Sequence, residues 1–421
     1  MEKLPVELVS GIAGHLVSAD LKSFRLSCRQ ISAITRHLLA LQHFNGLPWR
    51  PDASRLYELS RIPDCARQIR SIKFNFARLD AYSAIHDSFR HHYLIEPEPR
   101  TEIIQERWEP YLQTQRQMRS VGEFRLDLLK EAVARLPALK EVTLTWTQCP
   151  WDHGMEAHRF FIPEVSVQLA EEEVNTIQHA VLTDILAAGV QLETLTVEPL
   201  RSCGAGKCGS SDDMYRNLRR LDLVLDRTYD GPILYDVTRA PLLSSSSLKE
   251  LRLEFLSWDR VYSEPQFMHP VALKNLEVLE LIRPEIGLSC LAGLLSRHAK
   301  TLKKLKLVGI KGIPEPRKDE EETDLDAVFQ AGGADMNHVT TWQEVFELIH
   351  DSLTSLVEVT ISEKFTSPAG GRRIWFAQDG YGINLNMPPS RMVLLHAEPL
   401  EKYLLGKGKM PEINFEADDE T

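Results

Sequence analysis

The chain has 421 residues, 43% of them hydrophobic, and a formal net charge of -11. The acidic balance argues against a phosphate-backbone binder, so nucleic acid is not an expected partner. No uninterrupted apolar run approaches eighteen residues, which argues against a membrane span or membrane partner, and the charged, proline-containing N-terminus lacks the apolar stretch of a secretory signal. Six cysteines, Cys28, Cys65, Cys149, Cys203, Cys208 and Cys290, show no framework of close spacings. The expectation is an intracellular protein of the cytoplasm or nucleus with reduced thiols.

Helical periodicity appears at once. Pro5 suits a first helical turn, and Leu8, Ile12 and Leu16 recur every four residues on one face. Ser18 or Asp20 can cap a second helix carrying Leu21, Phe24, Cys28 and Ile31, and Ile34, Leu38 and Leu41 continue into a third. The literal string is more specific than the periodicity: Leu4-Pro5-Val6-Glu7-Leu8, then Asp20-Leu21, then Phe24-Arg25-Leu26-Ser27-Cys28-Arg29. In order, spacing and position it resembles an F-box, assigned to residues 1–45. The resemblance implies docking on the Skp-type adaptor of a cullin-based ubiquitin ligase, and through it on cullin, with Leu4, Pro5, Leu8, Ile12, Leu16, Leu21 and Leu26 as candidate adaptor contacts. Some of these must instead hold the three helices together, and sequence does not sort them.

A second pattern then recurs: apolar, two variable, apolar, one variable, apolar. Eight segments fit it, opening at Ile69, Leu139, Leu192, Leu218, Leu248, Leu276, Leu302 and Leu356, with steps of 70, 53, 26, 30, 28, 26 and 54. The middle steps lie in or near the period of leucine-rich repeats, and those of 53 and 54 are about twice it. Such a pattern describes a short strand with alternate residues in a core, and a return connection that lays the next strand parallel beside it. Helical patterns fill connections at 171–188, 286–298 and 341–353. The expected fold is therefore α/β: a three-helix F-box, then an irregular leucine-rich-repeat-like solenoid with a parallel sheet over 46–362. A set of unrelated strand and helix units in an α/β domain is the competing reading. Overall the chain resembles F-box proteins with divergent leucine-rich repeats of fungal type.

Two regions depart from that pattern. Residues 75–138 form an insertion, helical in pattern around Trp108, Tyr111 and Leu112 and again from Leu126 to Leu136, with His91-His92 and Pro97-x-Pro99 in an exposed turn. Residues 363–410 read as a C-terminal cap in which Trp375-Phe376-Ala377 and Ile383-Asn384-Leu385 are spaced like a hairpin. Glu320, Glu321 and Glu322 suit a solvated loop, and 411–421 form an acidic tail.

Catalytic signals are weak. Cys203 and Cys208 are half of a zinc site without its second pair, and His153 and His158 lack a third ligand. Gly204-x-Gly206-Lys207 is too short for a P-loop, and no nucleophile signature is present. The expectation is a protein that is not an enzyme and needs no cofactor, a substrate receptor that recruits a protein target through its repeat domain; a scaffold acting outside a ligase is the alternative. In the repeats the variable strand positions face one side of the sheet. Asp222, Arg252, Glu280 and Lys306 alternate in sign, which in register would stabilise the sheet. Their neighbours Arg220, Glu250, Glu254, Val278, Ile282, Lys304 and Val308 are the candidate target contacts, as singly exposed apolar groups beside charges.

Overall fold

A computed structural model describes residues 5–16, 18–35, 42–47, 50–77, 113, 125–149, 171–200, 216–225, 245–255, 273–313, 339, 341–366, 373–377 and 392–411. Three short helices come first: α1 (Val6–Gly14), α2 (Ser18–Leu26) and α3 (Arg29–Ile34). Pro5 precedes α1, and its carbonyl accepts from the Leu8 and Val9 amides. The second predicted helix is interrupted. The Ser27 hydroxyl donates to the Phe24 carbonyl at 2.6 Å, and Cys28 is extended, its thiol accepting from the Ile31 amide at 3.4 Å to start α3. A side chain satisfying an end of the helix replaces the backbone bond that would have continued it. Leu4, Leu38 and Leu41 lie outside the described residues.

The eight repeated segments all become strands of one sheet. In chain order, parallel strands β1 (His43–Gly46), β2 (Ser71–Asn75), β3 (Glu141–Thr145), β4 (Thr194–Leu200), β5 (Arg220–Leu225), β6 (Glu250–Phe255), β7 (Val278–Ile282), β9 (Lys304–Val308) and β11 (Glu358–Phe365) each pair with the next. Register aligns Ile72, Val142, Leu195, Leu221, Leu251, Leu279, Leu305 and Val359 in a single buried row. Because side chains alternate across a strand, this alignment places every variable position on the opposite face. Two short strands, β8 (Glu285–Gly287) and β10 (Lys311–Ile313), form a separate parallel pair.

Each long step is one connection. Direct pairing of β3 with β4 and of β9 with β11 excludes a further strand of this sheet between them, and a helix lies in each of these connections. These are α6 (Leu126–Val133) before β3, α7 (Glu171–Ala187) before β4 and α9 (Trp342–Ser352) before β11. They join α4 (Asp52–Ser60) and α5 (Pro63–Ala66) before β2 and α8 (Leu288–Arg297) before β9. One apolar cluster, running from Phe44 to Leu404, fills the space between the sheet and these helices. Of the insertion, α6 lies among the described residues; Trp108, Tyr111, Leu112, His91, His92, Pro97 and Pro99 do not.

Strand β1 was not among the eight expected and begins inside the segment assigned to the N-terminal helices. Gln42 accepts from the amides of both Arg70 and Ser71, so the sheet begins before residue 45. Its signal in sequence is Leu41-x-x-Phe44-x-Gly46, with glycine in the third apolar place. The glycine is there because Phe74 of β2 lies over it: a Cβ on Gly46 would come within 2.4 Å of the Phe74 ring.

At the other end, Thr341 and Glu344 form a reciprocal cap at the start of α9, and Trp342, 1% exposed, donates its indole N–H to the Thr366 carbonyl at 2.9 Å. Of the expected hairpin, the first segment is strand β12 (Arg373–Ala377), which pairs antiparallel with β11 and parallel with β13 (Met392–His396), so both its edges are occupied. The last helix, α10 (Ala397–Leu404), is fixed to the sheet by Glu401, which accepts from the Ile361 amide at 2.8 Å. Residues 383–385, Glu320 to Glu322 and 412–421 are outside the described residues.

Candidate interaction surfaces

Five large hydrophobic side chains are exposed among the described residues, and four of them belong to α1 and α2: Val6, Leu8, Ile12 and Leu26. Helical spacing explains the division. Val9 and Ala13, one turn apart, face inward with Leu21 of α2 and Ile31 of α3, leaving Leu8 and Ile12 as an adjacent pair on the outer face. Leu8 is 55% exposed, Ile12 49% and Leu26 88%; Leu16 is half-buried and Pro5 exposed. Leu21, a candidate contact, is 5% exposed and lies in the small interior of the helices, where α2 packs on α3. Val6 was missed; it is exposed in the first turn, next to the proline that starts the helix, and two residues before Leu8 it is off the face that Leu8 and Ile12 share.

The variable face of the sheet carries three rows. In the first, Arg220, Glu250, Val278 and Lys304 are neighbours, all at least partly exposed. Arg220 pairs with Asp222 at 2.9 Å and Glu250 at 3.4 Å, and the Asp222 hydrogen bond raises its pKa further; Lys304 is raised likewise by Glu358 at 2.5 Å. Both cations are fixed in place as well as charged.

In the middle row Asp222, Arg252, Glu280 and Lys306 adjoin in the register expected. Arg252 does more than bridge that row. Its guanidinium reaches Glu280 at 3.9 Å, Glu254 on its own strand, and Glu198 of β4, two strands away, at 3.4 Å. Glu198 is 4% exposed and also accepts from the Gln148 amide at 2.6 Å. Gln148 and Glu198 were not expected at this site, since both fall at or beyond the strand ends of their repeats, where the spacing carries no information.

The third row overturns part of the expectation. Ile282 and Val308 are buried, 8% and 6% exposed, and offer no apolar groove; Val224 and Ser362 of the same row are buried too, and Glu254 is half-buried. A common turn follows this row in three strands. Arg283, Gly309 and Glu363 follow the row in β7, β9 and β11, and all three have positive φ, 55°, 60° and 62°. Because the middle residue is glycine, Arg283 and Glu363 meet across it, with Nε to Oε2 at 3.2 Å. The ion pair thus joins two residues whose side chains make left-handed backbone costly.

No group of three or more His, Cys, Asp or Glu among the described residues could hold a metal ion, and no described helix is long and apolar enough to cross a membrane. Cys203, Cys208, His153 and His158 lie outside the described residues. Searches against protein-family models and against curated proteins match nothing.

Proposed function

We propose that the chain is a non-catalytic substrate receptor of a Skp-cullin-F-box type ubiquitin ligase. On this reading α1 to α3 are an F-box that docks on the Skp-type adaptor, and the parallel sheet with its helices is an irregular leucine-rich-repeat solenoid that recruits a protein target. The observation that carries the proposal is the exposed pair Leu8 and Ile12 on one face of α1, with Val6 and Leu26 also exposed on a unit too small to bury them itself. An apolar patch of this kind on three short helices is characteristic of an interaction site. The motif string at residues 4–29 names the partner by resemblance. A receptor accelerates ubiquitin transfer by holding a target lysine near the activated ubiquitin, so proximity is its chemistry and no acid, base or nucleophile of its own is required.

The test is replacement of Leu8 and Ile12 by Glu in the full chain. Both side chains are already half-exposed, so the melting temperature is expected to stay within a few degrees of the parent. Burying two unpartnered carboxylates at an interface costs several kcal/mol, enough to abolish a micromolar contact, so adaptor capture is expected to be lost. Adaptor binding that survives the double change overturns the F-box reading. Recovery of the adaptor without cullin from cells would leave the docking but remove the ligase.

A further inference from the structure

The turns that lead into the strands form a ridge along one end of the sheet. Main-chain bonds stack them: each of Lys140, Glu193, Arg219, Lys249, Glu277, Lys303 and Val357 donates its amide to the equivalent residue of the preceding turn at 2.8 Å, starting from the Arg70 carbonyl. Side chains link adjacent turns as well, Asn217 to Gln191, Asn275 to the Ser246 carbonyl at 2.9 Å and Ser355 to the Lys300 carbonyl at 3.0 Å. Equivalent residues of successive turns are therefore neighbours, about 4.8 Å apart as strands are, and the ridge from β2 to β11 is roughly 34 Å long.

Its charge is opposite to that of the chain. Arg70, Lys140, Arg219, Lys249 and Lys303 are exposed in the stacked row, interrupted by Glu193 and Glu277. Three residues earlier in each turn a second row contains Arg67, Arg216, Lys274 and Lys300, all exposed, and no carboxylate. The two rows thus hold nine cations and two carboxylates, in a protein whose net charge is -11. Ion pairs within the stacked row fix Lys140 on Glu193 and both Lys249 and Lys303 on Glu277. Glu277, held by two lysines, has its pKa lowered to about 2 and stays ionised. Lys274 and Lys300 have no ion-pair partner among the described residues.

We propose that this ridge docks an extended, acid-rich polypeptide. Between the two charged rows runs a row of uncharged residues that includes Gln191, Asn217, Asn275, Thr301 and Ser355. Amides and hydroxyls there can bond a peptide main chain while the flanking cations meet its carboxylates, and opposite charge on the two sides speeds and orients the encounter. Nucleic acid fits less well. The rows contain no aromatic side chain on which a base could stack, and Glu193 and Glu277 interrupt any track for phosphates. The proposal deepens the receptor reading by giving the class of target segment.

The test uses the purified full chain without adaptor and a fluorescein-labelled peptide of twelve Glu residues, followed by anisotropy at low salt. Saturable binding that weakens as salt is raised is expected. Lys274→Glu with Lys300→Glu is expected to weaken it roughly tenfold or more, because two attractions become repulsions. Lys407→Glu with Lys409→Glu, exposed residues following α10, makes the same change in net charge and is expected to leave binding within about twofold of the parent. Lys274→Gln with Lys300→Gln provides an intermediate case with less risk to the fold. No saturable binding by the parent, or equal loss in the control pair, overturns the proposal. So does tighter binding of a twelve-nucleotide oligothymidine at the same ridge. Because adaptor is absent, these outcomes are separate from failure of the N-terminal docking.

Discussion

His298 shows how one buried side chain sets a pH limit on the fold. It follows α8 with 2% exposure, and its Nε2 has no hydrogen-bond partner. Burial lowers its pKa from 6.5 to about 4, and the adjacent Arg297 adds to the shift. A depressed folded-state value means that the unfolded chain binds the proton first, so stability rises with pH between about 4 and 6.5 and falls on acidification through that window. The loss between pH 7 and pH 4.5 from this residue alone is about 2 kcal/mol. His298→Gln is expected to lose that much less over the same interval in urea titrations, and an unchanged pH slope would show that the imidazole charges without penalty. The backbone role of residue 298, accepting from the Thr301 and Leu302 amides, is the same in both chains.

At the scale of elements, strand pairing depends on charges that span more than one neighbour. Through the like-charged row alone, Arg252→Glu costs on the order of 1 kcal/mol. The added contact to nearly buried Glu198 raises the expectation to about 2 to 3 kcal/mol, because that carboxylate loses its cation and among the described residues keeps the Gln148 amide as its side-chain partner. Restoring alternation with Asp222→Lys and Glu280→Lys is expected to recover part of the loss. Salt near about 0.5 M should recover less than half of it, since buried charges are poorly screened. Complete recovery in salt would place the whole effect at the exposed row. The contrast marks what was legible. A period of two residues aligned all eight strands and the row from Asp222 to Lys306, because burial of alternate residues fixes register. Glu198 and Gln148, the turns at Arg283, Gly309 and Glu363, and the second neighbour of β12 were not legible, since they depend on how strands end and on contacts between residues far apart in the chain. On α2 the periodicity ran through Cys28 where a side-chain cap stops the helix, and on α1 it marked the outer face as readily as the inner one.

On the scale of the whole molecule the described chain has two unequal apolar interiors. The large cluster from Phe44 to Leu404 is shared by consecutive strands and helices, whereas α1 to α3 bury Val9, Ala13, Leu21 and Ile31 outside it. Four such side chains do little to offset the conformational entropy of ordering some thirty residues, and units below about 40 residues rarely stand alone without a disulfide, metal or partner. The thiol of Cys28 is free and serves as a cap. Removal of residues 1–41, which spares Gln42 and β1, is therefore expected to leave the thermal transition of the remainder within a few degrees of the parent. In the full chain, amide exchange should be fast in α1 to α3 and slow in β5, β6, β7 and β9, each of which is paired on both sides. Adding the Skp-type adaptor is expected to slow exchange in α1 and α2 by about tenfold or more and to leave those four strands unchanged, because a partner that binds only the ordered helices stabilises them by mass action. Strong protection of α1 in the free chain would show that the helices are already held by the rest of the protein, and the exposed pair Leu8 and Ile12 would then lose its meaning as an unsatisfied docking face.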